Sequence, residues 1–317
     1  MRFIFSSLLL TGLLAAGPAH AQERPVRLIV PYPPGPGVDL IARSVSGKLA
    51  ENLGQQVVVD NRPGAGSVIG ADLAAKAPPD GNTLLFVNLG YAINAAIMPK
   101  LPFDPLRDLV PVTVVATQPH MLVVNPVVPV KTVNDLVSLA RAKPGQVTYA
   151  SAGNGTGPQL VAEMFSNMVG VRMNHIPYKG ANPALVDVIG GHAQIMFATL
   201  VSSLPHVQSA RLRAVAVTSA KRSRHVPDVP TMIESGVPNF VAEGWYLVLA
   251  PARTPAPVMA RVQKAVAGAL ADPTVRERLS GDGAEIIANR PDEAARFLQA
   301  EIARWGGVVK AAGLKLQ

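Results

Sequence analysis

The feature that most restricts the fold is a pair of glycine-rich stretches, each set between a strand-like run and a helical pattern. The first is Pro31-Tyr-Pro-Pro-Gly-Pro-Gly-Val-Asp39. Residues 26–30 before it are apolar and β-branched, as in a strand buried on both faces. Residues 40–53 after it carry Ile41, Val45, Leu49 and Leu53 at i+4 steps, the buried stripe of a helix, with Asp39 placed to cap free N–H groups and Gly54 as a stop. The second stretch is Tyr149-Ala-Ser-Ala-Gly-Asn-Gly-Thr-Gly157. It follows a strand-like run at 146–150 and precedes a helical one at 159–169. A helix start offers unpaired N–H groups and the positive end of a dipole, which together suit an anion. Two such loops at the carboxyl ends of two strands point to one small anion held between two lobes.

The rest of the chain supports that reading by alternation. Strands are expected at 56–60 and 83–87, with a helix at 67–76 between them and loop plus short helix at 88–108. Residues 110–124 are apolar and β-rich, with room for two strands. Pro126 to Pro129 reads as a crossover. Thr132 then caps a helix to Ala142, ended by Pro144-Gly145. Strands follow at 147–150, 173–177, 194–198 and 213–217, around helices that include one opened by Asn182-Pro183. Residues 221–238 read as the return crossover and 244–250 as a strand. Helices at 257–271, 273–280 and 291–312 are each introduced by proline. Repeated strand–helix alternation means largely parallel sheets with helices on both faces.

Residues 1–21 are excluded from the fold. Arg2 precedes an apolar run at 4–16, and Ala19-His20-Ala21 is a small-x-small cleavage site, so a secretory signal peptide cleaved after Ala21 is expected. No later stretch is apolar for long enough to span a bilayer, and the exported product is expected to be soluble. With no cysteine, disulfides, zinc–thiolate sites and cysteine nucleophiles are excluded. The formal net charge is +8, but the basic residues are scattered and aromatics are few, which does not describe a nucleic-acid surface.

Catalytic signatures are absent. There is no Gly-x-Ser-x-Gly, Walker A loop or His-Glu-x-x-His, and Gly64-Ala-Gly66 has Ile69 where a dinucleotide fingerprint needs its third glycine. His120, His175, His192, His206 and His225 lack metal spacing and read as structural or surface residues. No cofactor is implied. Lys179, in the loop Tyr178-Lys-Gly-Ala-Asn-Pro183, is either an anion partner or a solvated lysine. Neutral donors alone can hold a carboxylate when helix starts aim them, at roughly 1.5–3 kcal/mol per charged hydrogen bond.

Several motifs together carry a resemblance. They are the two glycine-rich loops, Val58-Val-Asp-Asn-Arg-Pro-Gly-Ala-Gly66, Pro79-Asp-Gly81, Leu101-Pro-Phe-Asp104, Tyr178-Lys-Gly180, Val226-Pro-Asp-Val-Pro-Thr231, Trp245 and Ala250-Pro251. Across essentially the whole chain after residue 21, the sequence resembles the periplasmic solute-binding proteins of tripartite tricarboxylate transport, the Bug receptor family. The resemblance implies an α/β fold of the periplasmic binding protein type II, or Venus flytrap, class: two doubly wound lobes with two crossing linkers. The lobes are expected at 22–125 with 226–317, and at 126–225. It further implies a non-enzymatic periplasmic receptor that takes a small carboxylate and delivers it to membrane transporter subunits, and a monomer is expected because a hinge-bending receptor works alone. Carried over by motif, the ligand residues are Tyr32, Gly35, Pro36, Gly37 and Asp39 on one lobe and Ser151, Ala152, Gly153, Asn154, Gly155 and Thr156 on the other. Asn88, Tyr178, Gly180, Ala181, Asn182, Thr199 and Trp245 would line the rest.

Two positions depart from the family pattern. Gly35-Pro36 stands where Gly-Gly is usual, removing a backbone donor and fixing φ. Gln159-Leu160 stands where His-Leu is usual, and glutamine does not titrate near neutral pH. Two other readings share the cleft: an exported enzyme using Asp39 as acid or base, and a receptor that signals its ligand to a sensor.

Overall fold

A computed structural model describes residues 24–312, apart from 36, 37, 99, 155 and 282. The expected leader, its cleavage after Ala21 and the start at Gln22 lie outside the described residues, as do the site candidates Pro36, Gly37 and Gly155. In chain order the elements are β1 (Val26–Val30), α1 (Val38–Leu53), β2 (Val57–Asn61), α2 (Val68–Ala75), β3 (Thr83–Asn88), α3 (Leu89–Ile97) and β4 (Leu109–Val124). There follow α4 (Val133–Ala142), β5 (Thr148–Ser151), α5 (Gly157–Val169), β6 (Asn174–Pro177), α6 (Ala181–Ile189), β7 (Ile195–Thr199), α7 (Leu200–Gln208) and β8 (Arg213–Val217). The chain closes with β9 (Glu243–Pro251), α8 (Ala256–Ala271), α9 (Pro273–Gly281), β10 (Glu285–Ile286) and α10 (Pro291–Ala312).

β1 buries Val26, Leu28, Ile29 and Val30, while Arg27 is half-exposed and pairs with Asp60 of β2. It pairs in parallel with β2 and β3. The stripe of α1 is buried at Ile41, Val45, Leu49 and Leu53, as its spacing requires, and each such burial contributes about 1.5–3 kcal/mol. β9 pairs antiparallel with β3 and β4, completing a first sheet in the order β2-β1-β3-β9-β4. The second sheet holds β5 and β6 in parallel, β7 parallel to β5, and the end of β4 antiparallel to β7 and β8. Parallel pairing is therefore confined to the outer strands of each sheet, and the strands that join the sheets are antiparallel.

The apolar run at 110–124 is one strand. The first part of β4, Leu109 to Pro119, pairs with β9, and the rest, His120 to Val124, pairs with β7 in the second sheet. The run had room for two strands, and it contains two prolines. Pro111 sits at a register shift, and Pro119 sits where β4 changes partners, positions at which a missing N–H is tolerated. The passage between sheets therefore lies in β4 itself, ahead of Pro126 to Pro129. There His120 N donates to Thr218 Oγ1 at 2.8 Å, Thr218 N to His120 O at 2.9 Å, Thr218 Oγ1 to Ala242 O at 2.6 Å and Ala242 N to Thr218 O at 3.0 Å. Three segments distant in sequence are thereby tied at the crossing.

Helix signals read well where the cap chemistry was explicit. Thr132 accepts from Asp135 N, and the Asp135 side chain answers the Thr132 amide, a complete capping box. α6 differs from expectation. Gly180 is its N-cap, and the helix begins at Ala181, so Asn182 is inside the first turn and exposed. α10 packs against α3, β4 and α5, bringing the C-terminal helix to both sheets.

Candidate ligand-binding cleft

The first glycine-rich loop leaves β1 with Tyr32 turned toward the end of β3. Tyr32 donates its hydroxyl to Asn88 Oδ1 at 2.6 Å, and the same oxygen accepts Gly90 N at 2.9 Å, capping α3. Burial of the phenol raises its pKa beyond the ordinary tyrosine range, so it acts as a neutral donor. Asp39 does not cap α1 with its carboxylate. That group is buried and accepts Gly35 N at 3.0 Å, Arg43 Nε at 3.0 Å and Asn61 Nδ2 at 2.9 Å. Burial works to raise its pKa, but the donors from Arg43, Gly35 and Asn61 outweigh it and hold the carboxyl below its ordinary value. Asp39 thus staples the loop from behind.

The second loop is also supported from behind. Ser151 is fully buried, and its hydroxyl lies 2.7 Å from His175 Nε2 and 3.1 Å from Gly153 O. Gln159 Nε2 lies 3.2 Å from His175 Nδ1, and Tyr149 stacks on the same imidazole at 4.9 Å. The Gln159 departure therefore falls in this support. Gly153 has φ of 130°, and a Cβ there would stand 3.2 Å from Tyr178 O, so the close approach of the two loops requires glycine. Thr156 fastens the turn by donating its hydroxyl to Gly153 O at 2.7 Å. Gly180 N donates to Ala152 O at 3.1 Å. Tyr178 donates its hydroxyl to Asp187 at 2.7 Å, along α6. Asn154, Lys179 and Asn182 are exposed.

Between the loops lies a cavity of about 290 Å³. Of the residues expected from sequence, it brings together Tyr32, Asn88, Thr156, Thr199 and Trp245. Gly35, Asp39, Ser151, Ala152, Gly153, Asn154, Tyr178, Gly180, Ala181 and Asn182 are not among its described lining residues. Residues that sequence reasoning missed complete it: Leu89, Gly90 and Ile93 of α3, Gln118 and His120 of β4, Gly157 and Pro158 of α5, and Gly244 and Tyr246 of β9. One signal in the sequence could have revealed the β4 pair, since Gln118-Pro119-His120 interrupts an otherwise apolar run.

Three helix starts meet here. α3 begins after Asn88, α5 after Thr156 and α7 after Thr199, and all three N-cap residues line the cavity. Neither Thr156 nor Thr199 makes a side-chain cap bond, which leaves the Gly157 amide of α5, whose next residue is a proline without N–H, and first-turn amides of α7 to face the cavity. No described lining residue is Asp, Glu, Lys or Arg. His120 is buried, and desolvation pushes its pKa down to about 4. The cavity is therefore a neutral enclosure rich in dipoles aimed inward, suited to a small anion. No cluster of three or more metal-ligating side chains forms among the described residues, and no helix among them is long and apolar enough to cross a membrane. A larger groove of about 800 Å³ lies among α8, α10 and the start of β4. It involves neither glycine-rich loop, and although α8 and α10 both begin at its edge, it also carries the charged side chains of Asp292 and Arg296.

Known proteins resemble this arrangement throughout its length. A family model described as the tripartite tricarboxylate transporter family receptor matches residues 41–314. Protein BugT of Bordetella pertussis is 40% identical over 307 residues, covering 95% of this chain and 94% of that protein. The solved structure of Rpa4515 from R. palustris with adipate is 35% identical with a TM-score of 0.79, covering 92% of this chain and 98% of that one. MatC from Rhodopseudomonas palustris, solved with bound malate, is 31% identical with a TM-score of 0.75, covering 90% and 99%.

Proposed function

Because the chain belongs to the tripartite tricarboxylate transporter receptor family, with its two-lobed Venus-flytrap fold, we propose that it is a periplasmic receptor that captures a small carboxylate in the 290 Å³ cavity and delivers it to membrane transporter subunits. The observation that carries this reading is the meeting of three helix starts in a cavity without a charged lining residue. Such a site gains nothing from a cationic solute and favours an anion. The relatives solved with adipate and malate support a carboxylate as that anion.

In place of the expected lobe division at Asn125/Pro126 and His225/Val226, we divide the lobes at Pro119/His120, where β4 changes partners, and at Ala242/Glu243, where β9 begins. Residues 24–119 with 243–312 then form one lobe and 120–242 the other. Capture proceeds by bending at these two crossings, which brings the start of α5 toward that of α3. The same protein carries its ligand unaltered and acts as a monomer.

A thermal-shift panel of small acids and their amides tests the reading. A ligand at about 100 times its Kd adds about 2.7 kcal/mol of stability. A shift with one acid that is lost on amidation, with the acid recovered chemically unchanged, is the expected result. Turnover of the acid, or shifts only with neutral solutes, would refute it.

A further inference from the structure

His120 has no part in the carboxylate grip, yet it is the most deeply placed titratable side chain in the cavity, 2% exposed. Its orientation is fixed from one side. Nδ1 lies 3.4 Å from Ala242 O, an atom that can only accept. The proton therefore sits on Nδ1, and Nε2 carries a lone pair. Nε2 has no hydrogen-bond partner among the described residues. It points toward the start of α5, where a Cβ on Gly157 would stand 3.2 Å from it. A side chain at 157 would crowd that space. The ring's other neighbour at this side is Gly244, whose Cβ would stand 3.8 Å from His120 Cε1. Two glycines thus flank an acceptor that opens onto the ligand space.

Resting on the carboxylate reading above, we propose that His120 Nε2 is a specificity element, an acceptor that selects carboxylates bearing a hydroxyl or ammonium group over analogues without a donor. An unpaired acceptor in a desolvated pocket disfavours any ligand that buries it without supplying a hydrogen. A carboxylate oxygen set against it meets lone pair with lone pair. Because burial keeps the ring neutral at ordinary pH, the site offers that second anion no positive charge. A second carboxylate could bind there only by bringing a proton to Nε2. The ligand space also limits size: 290 Å³ is about twice the 150 Å³ that accepts one benzene. The favoured class is therefore a compact acid with one carboxylate at the helix starts and a donor reaching β4.

The test measures affinities by calorimetry for acids differing by one hydroxyl: malate against succinate, 3-hydroxybutyrate against butyrate, and 4-hydroxybenzoate against benzoate. In at least one pair the hydroxylated acid is expected to bind about tenfold tighter, with no proton taken up between two buffers of different ionisation enthalpy. His120→Leu should reduce that preference to about twofold or less, in part by tightening binding of the plain acid, which no longer buries an unpaired acceptor. His120→Gln, which retains an acceptor oxygen, should keep it, and this separates recognition from damage to the fold. Equal binding within every pair, a preference that survives in His120→Leu, or uptake of one proton on binding a dicarboxylate would overturn the proposal while leaving the carboxylate reading intact. Binding of amides in place of acids, or no binding by any acid, would overturn both.

Discussion

Replacing Glu243 with glutamine probes the crossing between the sheets. Glu243 opens β9 opposite Pro119, where β4 is about to change partners. Its pKa is raised from 4.5 to about 7, first by burial and then by the charge of Glu285. Arg304 offsets part of this, and Glu301 adds to it. Below the ordinary glutamate value the carboxyl is neutral in both the folded and unfolded chain, and it costs nothing. As pH rises from there through about 7, the unfolded chain releases its proton first, so stability is lost across that window. The full shift corresponds to about 3 kcal/mol at 1.36 kcal/mol per unit. Glu243→Gln removes this burden without changing the shape. Urea unfolding of both proteins should show equal stability near pH 4 and a gain of about 2–3 kcal/mol for the variant near pH 8, with an unchanged m-value. A gain of the same size at both pH values would refute the reasoning, because it would arise from packing and not from ionisation. No gain near pH 8 would show that the crossing is more open to water than its geometry indicates.

Glu301 is buried and accepts Trp245 Nε1 at 2.7 Å, Trp305 Nε1 at 3.0 Å and Arg304 at 2.6 Å. Glu301→Ala should cost about 3–5 kcal/mol in denaturant unfolding by stranding those donors, and a loss under about 1 kcal/mol would contradict the network. Gly153→Ala should lower stability by roughly 1–3 kcal/mol through strain at φ 130°, and it should weaken ligand binding because Thr156 hangs from the Gly153 carbonyl. A variant with native affinity would show that the second loop does not shape the site. With no charged lining residue described, ligand affinity measured from low salt to about 0.5 M should change little. A steep fall would mean that a charged side chain reaches the ligand.

The periodic parts of the chain were legible because local chemistry alone decides them. The stripe of α1, the capping box at Thr132 and Asp135, and the bounds of β8 and α10 needed no tertiary knowledge. The continuity of β4 was hidden, since prolines at 111 and 119 read as punctuation until their partners are seen. The two loops announced a site, but composition does not tell which way a side chain turns. Ser151, Asp39 and Tyr178 are polar residues in the right loops, and each faces a protein partner. Asn88, Thr156 and Thr199 sit at helix starts, so the geometry of the helix fixes their place at the cavity. His120 went unread because a lone histidine in an apolar run usually satisfies itself in a core, and only the crossing exposes this one to the ligand space.

The strand shared by both sheets has a mechanical consequence. β4 and β9 run up to the crossing as a hydrogen-bonded antiparallel ribbon, with two register shifts, that ends at Pro119 and Glu243. Such a ribbon resists stretching and sliding, because either would break its ladder, and it yields mainly to bending across its width. Just beyond its end, Thr218 ties His120 and Ala242 together where the chain passes between the sheets, and this limits how far the two halves of the site can drift apart. For separate bodies, lost translation and rotation cost about 4–15 kcal/mol on association. Here most of that ordering was completed when the chain folded. A small, neutral pocket with few contacts then has only its guest's lost freedom to offset, and not that of two separate bodies as well.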